Sequence, residues 1–240
     1  MTAETLFQPN TDKKLECTAG GRRYIRIPVK TRLINKNDDI VETAVSYLKD
    51  KVQAGDIVFI SEKVVAITQG RALLIKNVKP RRLAFFLSRF VTRTPAGIGL
   101  GMPETMEMAL RDCGVMRILF AAGVGGFTKV ILKRKGDFYR IAGPRARAID
   151  GPTAGTVPPY NKYVVLGPEN PGKVAGQISD ALAEVSAPVK AVISDINDLG
   201  GNILGVSHKG MNITEILQIL KDNPLGQGHQ KTPMGIIRKK

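Results

Sequence analysis

A chain of 240 residues can bury a core of its own, as one large domain or two smaller ones, without a covalent or metal staple. Its two cysteines, Cys17 and Cys113, match neither a disulfide framework nor a metal-ligand spacing, and no segment approaches the roughly eighteen uninterrupted apolar residues of a membrane span. The formal charge of +15 leaves nucleic acid, a membrane surface or polyanionic small molecules as partner classes, while dispersed basic residues and the lack of any tryptophan argue against a single-strand nucleic-acid binder.

Residues 1–21 read as a flexible lead without the apolar stretch of a secretory leader, so a cytoplasmic protein with no membrane partner is expected. Residues 23–29 alternate basic and apolar side chains, as a half-exposed strand does. Asn37 or Asp38 is placed to cap a helix over residues 39–51, with Ile40, Ala44, Val45 and Leu48 on one face. A strand over 57–60 follows the Gly55-Asp56 turn, then Ser61, Glu62 and Lys63, a second short apolar run to Ile67, and a turn at Gln69 and Gly70. Lys63, just beyond a buried strand, can reach a bound phosphate or simply occupy a surface turn.

Pro80 opens a helix over 81–91 whose core stripe is Leu83, Phe86, Leu87 and Phe90. The glycine-rich TPAGIGLGMPE matches no phosphate-loop or dinucleotide spacing and reads as a flexible connector first and a ligand loop second. A helix over 103–112 ends at Gly114. Residues 116–122 read as a strand, GVGG as a turn, and 128–132 with 138–142 as a hairpin around KRKGD. The following stretch to Pro168 is rich in Gly, Pro and small polar residues, which inside a compact domain marks functional or disordered chain. Its Asp150 is a candidate metal carboxylate or a turn-forming Asp before Gly-Pro, and Asn161 is a weaker candidate of the same kind.

A helix over 171–185 leads into the apolar run VKAVISDIND, which reads as a buried strand delivering Asp195 and Asn197 to a loop. The pair either ligates a hard cation or forms an Asx-type turn; as ligands they are too few, since such a cation takes about six oxygens. A helix over 213–220 and a strand over 234–237 close the chain, with the glycine-flanked Gln227 between them. Neither His208 nor His229 has a ligand-spaced neighbour, and no Ser-His-Asp or Cys-His set emerges, so no catalytic nucleophile or base is picked out.

Taken together, GDIVFISEKVVAITQGR, the loop holding Asp150, VISDIND and the closing GQGHQKTPMGIIR resemble the coenzyme F420-0:L-glutamate ligase family, over residues 23–238. The resemblance implies an α/β, mixed-sheet, two-lobed fold. Residues 22–240 would form the ligase-like domain, with a central segment near 100–170 inserted. It also implies a homodimeric ligase that uses GTP, or ATP, and two divalent cations, Mg2+ or Mn2+, to join an anionic carboxylate substrate to an amino acid such as L-glutamate. By the family's motifs, Thr31, Arg32, Leu33 and Ile34 in KTRLI, Glu62 and Lys63, and Asn161 at a shifted spacing, correspond to nucleotide contacts, and Asp150, Asp195 and Gln227 to metal ligands. Two departures bear on the substrate: Ile67 stands where the family has a lysine, and Ile196 where it has a threonine. The residues therefore leave open a non-catalytic nucleotide or polyanion binder, or an RNA-associated protein, beside the ligase.

Overall fold

Alternation along the Ile- and Val-rich runs builds the centre of the molecule. In the computed structural model, which describes residues 7–91, 99–134, 136–153, 155–198 and 200–240, six strands form one sheet. Its order is β1 (Glu16–Ala19), β2 (Arg22–Val29), β8 (Met234–Lys239), β3 (Ile57–Ser61), β6 (Lys190–Asn197) and β7 (Gly200–Val206). Only β3 and β6 are parallel neighbours, in register from Ile57 opposite Lys190 to Ser61 opposite Ser194. The fold is α/β with a mixed sheet, as expected. The chain divides into two units, one formed by the segments up to Gln69 and from Pro168 onward, the other by Gly70–Gly167.

The first unit is a three-layer arrangement dictated by period-two side chains. Val58 and Ile60 of β3, Ala191 and Ile193 of β6, and Met234 and Ile236 of β8 face α1 (Ile40–Leu48) and α8 (Pro171–Val185). Phe59, Val192 and Ile237 turn to the opposite face and meet α9 (Ile213–Leu220) through Ile216, Ile219 and Leu220. Strands buried on both faces read as continuous apolar runs, and that explains why VKAVIS showed no alternation.

Local chemistry differs from expectation in three places in this unit. Asp39, not Asn37 or Asp38, caps α1, accepting from the amides of Val41 at 2.7 Å and Glu42 at 3.0 Å, because Asp38 is engaged by the Arg32 guanidinium. The apolar run after Ser61 is a helix, α2 (Glu62–Thr68), whose Val65, Ala66 and Ile67 are buried; a run this short does not distinguish strand from helix by periodicity. And β1 lies inside the stretch read as a flexible lead, pairing Glu16 through Ala19 with Ile25 through Arg22. Residues 1–6 of that lead are outside the described residues.

The second unit is mainly helical: α3 (Arg82–Ser88), α4 (Pro103–Asp112), α5 (Val115–Val130), α6 (Asp137–Ala142) and α7 (Pro144–Arg147), with the short antiparallel pair β4 (Ala72–Leu74) and β5 (Tyr163–Val165). The expected strand over 116–122 and hairpin over 128–142 are instead α5 and α6. An apolar run broken by Gly123, Gly125 and Gly126 mimics strand and turn, but Gly125 serves helix packing: a Cβ there would fall 2.9 Å from the Phe138 Cβ and 3.0 Å from its backbone. The expected core stripe of α3 is also rotated. Ala84, Leu87 and Ser88 are buried, whereas Phe86 is 56% and Phe90 63% exposed, the two rings meeting edge to face. A helix apolar around most of its circumference does not declare its inner face. Residues 94–98 of the expected connector, and Lys135 of KRKGD, lie outside the described residues. The irregular stretch after Gly143 carries α7, a 3-10 turn at Tyr160–Lys162 and β5.

Three acids of this unit have shielded, ion-paired carboxylates. Glu107 accepts from the Arg81 backbone amide and from the Arg81 and Arg111 guanidinium groups. Burial pushes its carboxyl up, but the Arg81 and Arg111 contacts outweigh this and hold it below the usual range. Asp112 receives Arg71 at 2.6 Å and Arg145 at 2.8 Å, and Asp137 pairs with Arg140 at 3.2 Å and Arg134 at 3.4 Å.

The glycines of α5 give a direct test. Gly125→Ala should lower thermal stability by about 1–3 kcal/mol, because the added methyl forces α6 outward. Gly126→Ala, where a Cβ meets nothing within 4 Å, should raise it by up to about 1 kcal/mol through helix propensity. Calorimetry on both variants checks the opposite signs.

Candidate functional site

The sheet register gathers four separated segments at one end of the first unit. β2 ends at Val29 opposite Met234, β3 reaches Ile60 opposite Met234, and the parallel pairing closes at Ser61 and Ser194. Glu62 and Asp195 are therefore the next residues along two adjacent parallel strands. The loop after β2, the start of α2, the end of β6 and the segment before β8 all emerge there. Crevices beyond the carboxyl ends of parallel strands are where open α/β sheets place ligands.

Within the loop after β2, Thr31 is buried; its amide donates to the Lys231 carbonyl at 2.9 Å and its hydroxyl to the Arg32 carbonyl at 2.7 Å. The Arg32 amide donates to the Tyr47 hydroxyl, and its guanidinium holds Asp38 through two bonds at 2.8 and 2.6 Å, which keeps the Asp38 carboxyl below its usual range. The Leu33 carbonyl accepts from the same guanidinium at 3.2 Å. Ile34 is buried in the core, so its side chain serves packing. Glu62 is buried at the first turn of α2, and Lys63 beside it is half-buried.

Asp195 is half-buried within β6, opposite Asn202 of β7, and Asn197 is exposed at the strand end opposite Gly200. The expected loop is thus a hairpin with Asp195 on its ladder. Ile196, where the resemblance called for threonine, packs against the Phe59 and Ile219 cluster and lies opposite Gly201, where a Cβ would come 2.3 Å from the Ile196 Cδ1. The isoleucine and the glycine facing it are thereby one steric solution. Ile67 is buried in α2.

Gln227 is held from both ends. Its Nε2 donates to the Asp198 Oδ2 at 2.7 Å and its side chain accepts from the Gln230 amide in a capping box. Asp198 in turn accepts from the Lys13 Nζ at 2.7 Å. The Lys13 hydrogen bond, with further donors from Gln227 and Asn223, holds the Asp198 carboxyl below the usual range. Lys13 and Asp198 are the participants that sequence reasoning passed over; Lys13 lies in the presumed lead, and no local signal ties it to a residue so far along the chain.

Asp150 and Asn161 belong to the second unit. Asp150 exchanges both backbone hydrogen bonds with Val165, at 2.8 and 2.9 Å, and its side chain is half-buried. The Asn161 Oδ1 is buried with no hydrogen-bond partner among the described residues. As for a metal, the donors Glu62, Asp195 and Asp198 are oxygens suited to a hard cation. No three acidic, histidine or cysteine side chains converge on one point among the described residues, so phosphate and water oxygens would have to complete any such coordination.

The model of the F420-0:gamma-glutamyl ligase family matches residues 28–219. The chain belongs to that family. Membership indicates a ligase of the gamma-glutamyl type in F420 biosynthesis. The matched span holds every candidate named above except Lys13, which precedes it, and Gln227, whose segment and β8 follow it. No curated protein matches the chain as a relative. No helix among the described residues is long and apolar enough to cross a membrane.

The Lys13–Asp198 contact carries a pH prediction. A carboxyl depressed in the folded state contributes stability above its unfolded pKa of about 3.9, and that contribution is lost as pH falls through the lower folded value. Asp198 is half exposed, so the effect stays below about 1 kcal/mol. Carbonyl-detected NMR should show Asp198 titrating below its unfolded value, and Lys13→Met should move the midpoint upward.

Proposed function

We propose that this ligase joins a substrate carboxylate to the amine of an amino acid such as L-glutamate, driven by GTP or ATP with Mg2+ or Mn2+. The acceptor is an F420-0-like anion. A carboxylate oxygen attacks the γ-phosphorus and the nucleoside diphosphate departs, leaving an acyl phosphate. The amine then attacks the acyl carbon, losing a proton, and inorganic phosphate leaves as the amide forms. The observation that carries this reading is the convergence of the Thr31–Ile34 loop, Glu62 with Lys63, and Asp195 at the carboxyl ends of β3 and β6, in a chain of this family.

In this reading Asp195 would supply an oxygen ligand to a divalent cation, whose chemistry is to neutralise charge on the nucleotide phosphates. Gln227 acts through Asp198, since its amide is engaged at both ends. Lys63 offers its ammonium to a phosphate, and the backbone of the Thr31–Ile34 loop offers polar groups to the nucleotide. The residues mainly position and neutralise, which agrees with the lack of a recognisable nucleophile. A non-catalytic nucleotide binder is the second reading, favoured by Ile67 and Ile196, which commit to packing where the family pattern places polar side chains.

Titration calorimetry with GTP and ATP, each with and without Mn2+, tests both readings, and product analysis with an F420-0-like acceptor and L-glutamate separates them. Asp195→Asn should weaken cation-dependent nucleotide binding at least tenfold with an unchanged unfolding temperature. Nucleotide binding that is indifferent to the substitution, paired with a large loss of stability, would reduce Asp195 to a structural residue of the β6–β7 hairpin. Tight binding without turnover would favour the non-catalytic reading.

A further inference from the structure

The chain's charge is unevenly shared. The unit Gly70–Gly167 holds 17 Lys and Arg against 5 Asp and Glu, a net +12 of the total +15. Three of its five acids, Glu107, Asp112 and Asp137, have shielded carboxylates matched to arginines, so most of the negative charge is withdrawn from the surface and the surface is cationic. Residues 70–103 and 113–136 contain no acid at all.

The same unit exposes a continuous apolar face. α5 packs inward through Ile118, Ala121 and Thr128. On its outer side Met116 (79% exposed), Leu119, Phe120 (65%), Phe127 (61%) and Val130 (74%) recur at helical spacing, and Ile131 continues them. The stripe from Met116 to Val130 runs about 21 Å at the α-helical rise. Arg117, Lys129, Lys133 and Arg134 accompany it. α3 and the residues flanking it repeat the combination, with Phe85, Phe86 and Phe90 exposed among Arg81, Arg82 and Arg89. Exposed apolar area of this extent marks an interaction surface.

We propose that this unit docks peripherally on an anionic lipid bilayer, with α5 lying in the headgroup plane, its apolar stripe among the upper acyl carbons and its lysines and arginines at the phosphates. Two observations select this partner. A second copy seated on the same face would set +12 against +12, whereas anionic headgroups neutralise it. Nucleic acid would satisfy the cations but leave the aliphatic side chains of Met116, Leu119, Val130 and Ile131 in water. A bilayer takes both, in the manner of interfacial amphipathic helices. This is compatible with the lack of a spanning helix among the described residues, because docking crosses nothing.

The full chain is sedimented with vesicles of pure phosphatidylcholine and with vesicles containing about one third phosphatidylglycerol. Binding is expected to the anionic vesicles and not to the neutral ones, and to weaken with added salt. Phe120→Ser with Phe127→Ser should reduce partitioning at least tenfold, and Lys129→Gln with Lys133→Gln roughly fivefold per lysine. All four side chains are exposed, so circular dichroism and unfolding temperature should hold. Failure of the wild-type chain to bind anionic vesicles overturns the proposal. So does a phenylalanine pair that leaves partitioning intact while converting a larger species to a smaller one by ultracentrifugation, which would assign the face to a second copy. Tight binding to an RNA oligonucleotide with no partitioning to anionic vesicles would assign it to nucleic acid.

Discussion

The parallel, in-register pairing of β3 with β6 governs the rest of the first unit. It is the one parallel contact in a sheet otherwise built from antiparallel neighbours, and the chain between its two strands contains the whole second unit. Because parallel strands share a direction, their carboxyl ends coincide, so Ser61 and Ser194 bring Glu62 and Asp195 to one edge. An antiparallel arrangement would have sent them to opposite ends. β8 then inserts between β2 and β3 and delivers the Gln227 segment to the same edge. The loop at Thr31 is tied to it by the amide bond to Lys231.

Sidedness of the strands decides which residues are available for chemistry. Val192 and Ile193 are committed to opposite cores, and the alternation continues until burial relaxes at Asp195. Ile196 uses its position for packing over Gly201 rather than for a hydroxyl. This stretch is therefore a mixture: Asp195 offers a carboxylate at the strand end, while its neighbour Ile196 belongs to the hydrophobic layer, with Gly201 opposite leaving room for it.

Much of this was legible in the residues. α4, α8 and α9 follow from their apolar spacing and flanking Pro, Gly or Asn signals, and the two-sided strands from their uninterrupted apolar runs. α1 was legible except for its cap, because Asn37, Asp38 and Asp39 are equally suited chemically and only the Arg32 contact with Asp38 decides among them. α5 was misread since three glycines in an apolar run look like a turn until Phe138 is seen pressing on Gly125. Register was not legible: nothing local says that Ser61 meets Ser194, or that Lys13 meets Asp198, and the candidate site depends on such long-range pairings.

The partition of charge corrects the simplest account of a basic nucleotide-using enzyme, in which positive charge collects around the phosphates. The first unit, which carries the Thr31–Ile34 loop, Lys63 and Asp195, holds 19 Lys and Arg against 16 Asp and Glu, a net +3. On the proposed function, a local cation such as Lys63 would suffice for a phosphate, because short-range contacts in a half-buried site count for more than distant surface charge screened over a Debye length of about 8–10 Å. The second unit has no such excuse for +12. Three of its five acids are held by arginines, and its outer helices pair cations with exposed phenylalanine, leucine and valine. A soluble, solitary surface selects against the apolar half of that combination, and a nucleotide pocket does not require it. The two halves together are what a broad, anionic and apolar partner would demand.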